Sequence, residues 1–305
     1  MPEFTAVPQL RPATAAQPNR VAEIAAWLAA AQDSQQAKPL QRPRAIVFLS
    51  NPAIAVDTTD AGALTQHSPA DEERWRENLF SAAQRAGAGI DFVECTSAES
   101  ASAKPGATSA AMTPVEFESF IDVGMATADR EIDSGSDLLI ASARGIDDAT
   151  VAASLMGRIT HTEPVAIVGT NTLASGITDA QWKTRVSIVR DSMFRARNLE
   201  GWEVVQTIGT PSVAALVGFI AQATARRTPV LIDGPLAATA AVLAERSAPG
   251  VKGWLRAGST TPEPAYALAL KELGIEPLLD LNLSEGFPLG ALAALPLVQL
   301  AAELA

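Results

Sequence analysis

Six carboxylates, Asp147, Asp148, Asp233, Glu263, Asp280 and Glu285, stand in or soon after short apolar runs, where a folded chain could gather them at one mouth. A carboxylate lifted toward neutral pKa by burial serves as a general base. The same residues also suit structural work. Asp147 and Asp148 precede ATVAASLMGR and fit helix capping, while Asp233 in IDGP fits a strand-to-helix turn. Cys95 is the only cysteine, and His67 and His161 are the only histidines, so one chain holds no four-ligand Cys/His zinc site and no Cys-x-x-Cys redox centre. Cys95 ends an apolar run and reads as a small core residue. Without a Gly-x-Ser-x-Gly elbow, both histidines read as surface residues rather than members of a triad. No phosphate-loop motif occurs, and Gly87-Ala88-Gly89 precedes a strand, which suits a helix stop better than a dinucleotide fingerprint. Arg226 and Arg227 close a helical pattern, where positive charge complements the dipole.

The chain has 305 residues, 48% of them apolar and 19% charged, enough to bury a large core without disulfides or a structural metal. Its net charge of −11 repels polyphosphates and anionic lipid surfaces, so neither a nucleic-acid nor a membrane partner is expected. The longest apolar stretches, 213–221 and 289–298, fall short of the ~18 residues of a membrane span, and the N-terminus lacks a signal-type apolar segment. A cytoplasmic location is the simplest expectation.

Which elements would position those carboxylates follows from the pattern between them. Residues 1–19, rich in Pro, Ala and Thr, predict a loose arm, followed by a helix over 20–32 and a linker over 33–43. Seven strands are predicted at 45–50, 90–95, 137–141, 165–169, 229–233, 254–258 and 277–281. Amphipathic segments lie between them at about 71–86, 114–132, 148–158, 178–198, 211–227, 237–246 and 263–273. Uniformly apolar strands alternating with helices imply an α/β fold with a parallel sheet covered on both faces. Ligands of such sheets bind at the carboxyl ends of the strands. The Ser/Ala-rich piece 96–112 reads as a flexible loop. Residues 289–305 predict a terminal helix interrupted by Pro296, able to pack with 20–32 as a small helical unit made from both chain ends. The expected organisation is 1–40 in that small unit, 41–282 as the large α/β domain, and 283–305 completing the small unit.

Beyond these patterns, VAALVGFIAQATARRTPVLIDG (213–234), AATAAVLAERSAPG (237–250) and EPAYALALKELGIEPLLDL (263–281) resemble the nicotinate-nucleotide:dimethylbenzimidazole phosphoribosyltransferase family of cobalamin assembly. RVAEIAAWLAAAQ (20–32), REIDSGSDLLIA (130–141) and TEPVAIVG (162–169) agree with it, whereas about 50–130 match poorly. The resemblance implies a three-layer, Rossmann-like parallel-sheet domain with a small helical domain from both termini, as a homodimer. It also implies a pentosyl transfer, in which phosphoribose passes from nicotinate mononucleotide to a benzimidazole nitrogen. A glutamate acts as base there and helix N-termini bind the phosphate. Neither metal nor cofactor is implied.

Carried across, the resemblance exposes departures. The family's Gly-Glu-Gly-Thr-Gly loop corresponds to Gly286-Phe287-Pro288-Leu289-Gly290, so Phe287 replaces the carboxylate, and Glu285 reaches that role only through a shift of register. The family's Met-Gly-Ile-Gly-Asn-Thr-Thr loop becomes Arg144-Gly145-Ile146-Asp147-Asp148-Ala149-Thr150, with two acids at a helix start that would otherwise attract phosphate. Arg185 stands where the family commonly has a lysine. The Asp-His pair after the first strand is lost in Ser50-Asn51-Pro52, and the glycine loop after the fourth predicted strand becomes 169–176, longer and poorer in glycine. Glu263-Pro264 keeps its counterpart, with Ser259 and Tyr266 in place of neighbouring histidines.

Three functions follow as alternatives. One is a phosphoribosyltransferase of this family acting on a nucleotide and an aromatic base, with Glu285 as base and Gly145, Thr150, Gly169 and Arg185 around the phosphate. Another is a degenerate relative that binds a nucleotide, an aromatic base or a protein partner without turnover. The third is carboxylate-assisted hydrolysis in the same mouth, using Asp233 or Asp280.

Overall fold

Six parallel strands pair in the order β2-β1-β3-β4-β5-β6, where β1 is Pro43–Ser50, β2 Gly89–Glu94, β3 Leu138–Gly145, β4 Val230–Ile232, β5 Leu255–Ser259 and β6 Pro277–Leu279. The computed structural model describes residues 2–12, 19–50, 69–96, 110–145, 147–170, 178–284 and 287–304. β1 is an inner strand, with Ala45 opposite Ile90 on one side and Ile140 on the other. Its residues 45–49 are buried, as a strand covered on both faces must be.

Two apolar layers sandwich the sheet. On one face α1 (Arg20–Ala31), α2 (Pro69–Arg85) and α11 (Leu289–Glu303) set Trp27, Leu28, Leu79, Leu292 and Leu295 against Val47, Ile140 and Leu231. Helices from the two chain ends therefore pack together and onto the sheet. On the other face lie α3 (Pro114–Asp133), α4 (Asp148–Thr160), α8 (Pro211–Ala225), α9 (Pro235–Ser247) and α10 (Pro264–Leu273), over Ile46, Phe48, Leu139 and Ile232. α5 (Pro164–Val168), α6 (Asp179–Arg195) and α7 (Trp202–Ile208) fill the space beside them.

Local sequence explains the helix starts. Thr113 and Glu116 close a capping box on α3 with Pro114 in the first turn, and Thr178 and Gln181 do the same for α6. α3 and α8 touch backbone to backbone. A Cβ on Gly124 would lie 1.9 Å from the Ala215 carbonyl oxygen, and one on Gly218 2.2 Å from that of Ile121. The helix stop at Gly87 is as expected: its φ is +70° and Ala88 N–H returns to the Ala83 carbonyl.

Three expectations need correction. Residues 165–169 form no strand; Pro164 opens the short helix α5, whose Ile167 and Val168 are buried. A five-residue apolar run carries no usable period, and proline in the first turn decides for a helix. Pro296 does not interrupt α11, because it stands on the exposed side while Leu295 and Val298 hold the buried side in place. The described part of the N-terminal arm, 2–12, is not loose: Val7 is buried, Trp254 Nε1 donates to the Pro8 carbonyl at 2.7 Å, and Phe4 meets the Trp202 ring edge-on.

Candidate functional site

Strand order reverses between β1 and β3, the kind of position at which parallel sheets bind ligands beyond the strands' carboxyl ends. Ser50 ends β1 beside Gly145, which ends β3. The Ser50 hydroxyl shares a 2.9 Å hydrogen bond with that of Ser212, which shares another of 2.9 Å with Thr210 at the start of α8. Arg144 donates through Nε to Glu72 at 3.0 Å, and its guanidinium lies 4.1 Å above the Trp75 ring. Sequence reasoning did not single out Glu72, Trp75 or Ser212. The Thr210-Pro211 helix-start pair was the available signal for Ser212.

The opening of α4 holds both acids, though not as side-chain caps of the helix. Asp148 accepts from the Gly145 N–H at 2.8 Å, three residues back. Burial pushes its carboxyl up to about 6, the Asp147 charge adds to that, and the Gly145 amide opposes it. Asp147 is the N-cap residue with φ 57°, yet its side chain makes no cap bond. Its carboxylate instead meets Arg185 of α6, with Oδ1 3.3 Å from Nη2 and side-chain exposures of 6% and 15%. Burial raises the Asp147 carboxyl, against the Arg185 charge and Thr150.

Beside this pair is a small open pocket whose enclosed space is about 10 Å³, with Thr150, Ala153, Ile167, Val168, Arg185 and Glu263 among its walls. Thr150 Oγ1, Arg185 Nε and both Asp147 oxygens are buried there without a well-aligned hydrogen-bond partner. Gly169 adjoins this wall. Its φ is +74°, a Cβ would strike Pro264 at 2.4 Å, and its carbonyl accepts from Trp182 Nε1 at 2.8 Å.

Further along the mouth, the start of α11 lies over the ends of β4 and β5. Asp233 accepts from the Ala291 N–H at 3.1 Å, so it caps α11 from another element. Burial pushes its carboxyl up to about 7, against the amides of Ala291 and Gly290. The Phe287 ring sits on Gly234, where a Cβ would come within 2.8 Å of Cγ. Tyr266 donates its hydroxyl to the Ser259 carbonyl at 2.8 Å, and Asp280 accepts from the Thr260 hydroxyl at 2.5 Å.

Thr150 and Arg185 thus share one cavity, Gly169 follows its wall residue Val168, and Gly145 instead donates to Asp148. Glu285 and His67 lie outside the described residues. His161 is exposed at the end of α4, and Cys95 is buried, its thiol pushed up to about 12 by burial and then by the Glu94 charge. Arg226 does more than meet a dipole: it pairs with Asp129 at 2.8 Å and Asp133 at 2.7 Å, tying α8 to α3. Among the described residues, no helix is long and apolar enough to cross a membrane, and no three His, Cys, Asp or Glu side chains cluster as metal ligands.

A parallel six-stranded sheet with helices on both faces and helix starts at its carboxyl edge defines a three-layer α/β protein. The phosphoribosyltransferase family model matches residues 18–305. The nicotinate-nucleotide–dimethylbenzimidazole phosphoribosyltransferase of Corynebacterium efficiens is 37% identical over 303 residues, covering 94% of this chain and 80% of that one. The protein of the same name from Corynebacterium glutamicum strain ATCC 13032 is 45% identical over 196 residues, 64% of this chain and 54% of its own length. The crystal structure of CobT from Thermus thermophilus superposes with a TM-score of 0.80 at 25% identity, covering 95% of this chain and 92% of that one. The chain belongs to the nicotinate-nucleotide–dimethylbenzimidazole phosphoribosyltransferase family.

Proposed function

We propose that this chain binds an N-ribosylated aromatic base in the mouth described above without carrying out the transfer for which its relatives are named. The observation that carries this reading is Phe287. An apolar ring seated on Gly234 stands where the resemblance aligns the carboxylate that takes the proton, and an aromatic ring accepts none. The nearby carboxylate of Asp233 holds the start of α11 through Oδ2, while its Oδ1 is buried without a well-aligned hydrogen-bond partner. Titration calorimetry with nicotinate riboside and with dimethylbenzimidazole tests the binding half, and saturable heat from at least one of them is expected. No heat from either would sink it.

A second reading keeps the transfer, with Glu285 as base and Gly145, Thr150, Gly169 and Arg185 around the donor. Its support is the 37% identity to a protein named as the transferase. Under it, nicotinate is released from the mononucleotide in the presence of dimethylbenzimidazole, and Glu285→Gln slows that release. On either reading the protein works as a cytoplasmic homodimer with small-molecule ligands and no resident cofactor. Light scattering measures the oligomeric state.

A further inference from the structure

We infer that Asp147 closes the opening of α4 to ligand phosphate, so that the mouth takes a nucleoside, an N-ribosyl aromatic base without its 5′-phosphate, in preference to the nucleotide. The inference rests on the binding reading above and names the ligand class for it. Three donors converge at this corner: the first-turn amides of a thirteen-residue helix, the Arg185 guanidinium and the Thr150 hydroxyl. Such a set recruits an anion. The anion is already supplied by the chain, because Asp147 Oδ1 lies 3.3 Å from Arg185 Nη2 and its side chain is only 6% exposed. The Gly145 amide is likewise taken, by Asp148.

A phosphate entering here would meet the Asp147 carboxylate at close range in a buried setting, where like charges repel far more than in water. A hydroxyl meets the opposite situation. It donates to Asp147 and accepts from Arg185 or from Thr150, a 3% exposed residue lining the cavity whose hydroxyl faces the Asp147 carboxylate without a well-aligned hydrogen bond.

The backbone at Asp147 makes the test clean. Its φ of 57° is the left-handed region that glycine adopts freely and asparagine tolerates, so Asp147→Gly and Asp147→Asn should both fold. Thermal unfolding is followed against inorganic phosphate for the whole chain and both variants. Wild type should not respond at millimolar phosphate, whereas both variants should be stabilised, with phosphate affinity raised at least about tenfold. Calorimetry should show wild type preferring nicotinate riboside to nicotinate mononucleotide, and the variants losing or reversing that preference. Equal phosphate response in wild type, or folded variants that gain none, overturns the role of Asp147. Because phosphate probes the corner directly, its result stands even where neither ribosyl compound binds, an outcome that instead defeats the binding reading.

Discussion

The Phe287 ring packs directly against Gly234: a Cβ at position 234 would fall 2.8 Å from Cγ and 2.9 Å from Cδ2. Gly234 also has φ +92°, which a side chain would strain. Both facts weigh on the same substitution. Gly234→Ala should lose roughly 2–4 kcal/mol, since backbone strain and overpacking act together. Urea unfolding measures this, and a variant as stable as wild type would show that the ring is not seated there.

Asp233 sets a pH signature. Its carboxyl is raised from 3.8 to about 7 in the folded state, so the native chain holds a proton that the unfolded chain releases. Across that window its contribution to stability falls as pH rises, and above about 7 it changes no further. Asp233→Asn lacks this loss while keeping an oxygen to accept from Ala291. The stability of the variant relative to wild type should therefore climb between pH 4 and 7 by up to about 1.4 kcal/mol per unit. Asp148 titrates in both proteins and cancels from the comparison. A difference that is flat, or that falls with pH, contradicts the assignment.

The contact between α3 and α8 depends on two glycines. Gly124→Ala and Gly218→Ala each place a methyl group within 2.2 Å or less of a facing carbonyl oxygen, so the helices must separate. Each should cost roughly 2–4 kcal/mol in chemical unfolding. A loss below about 0.5 kcal/mol, typical of surface substitutions, would be incompatible with this packing.

Much of this architecture is legible in the sequence because its signals are local. Apolar runs mark β1, β3 and β4, and Thr113-Pro114 and Thr210-Pro211 mark helix starts that the structure keeps. Where a decision needs tertiary contact, the reading fails. The apolar run of α5 could serve either state, and only Pro164 favoured a helix. Similarly, the arm at 2–12 shows no period, and its order comes from Trp254 and Trp202, more than 190 residues away. At the mouth, Thr150 and Arg185 were named through resemblance, but the pairing of Arg185 with Asp147 depends on how α6 crosses α4. Spacing alone suggested helix caps.

Cys95 should be inert in the native protein. Its side chain is fully buried and its thiol is pushed up to about 12, so almost no thiolate exists at neutral pH. A thiol-specific disulfide reagent should label it only after denaturant is added. Rapid native labelling would place the residue at the surface instead.

The central claim is tested most directly by nicotinate release, followed chromatographically, from nicotinate mononucleotide plus dimethylbenzimidazole, with the Corynebacterium efficiens relative run in parallel as a reference. No release above a protein-free blank is expected from this chain under conditions where the reference turns over. Release at a comparable rate would contradict the account and return the base to Glu285 or another carboxylate of the mouth.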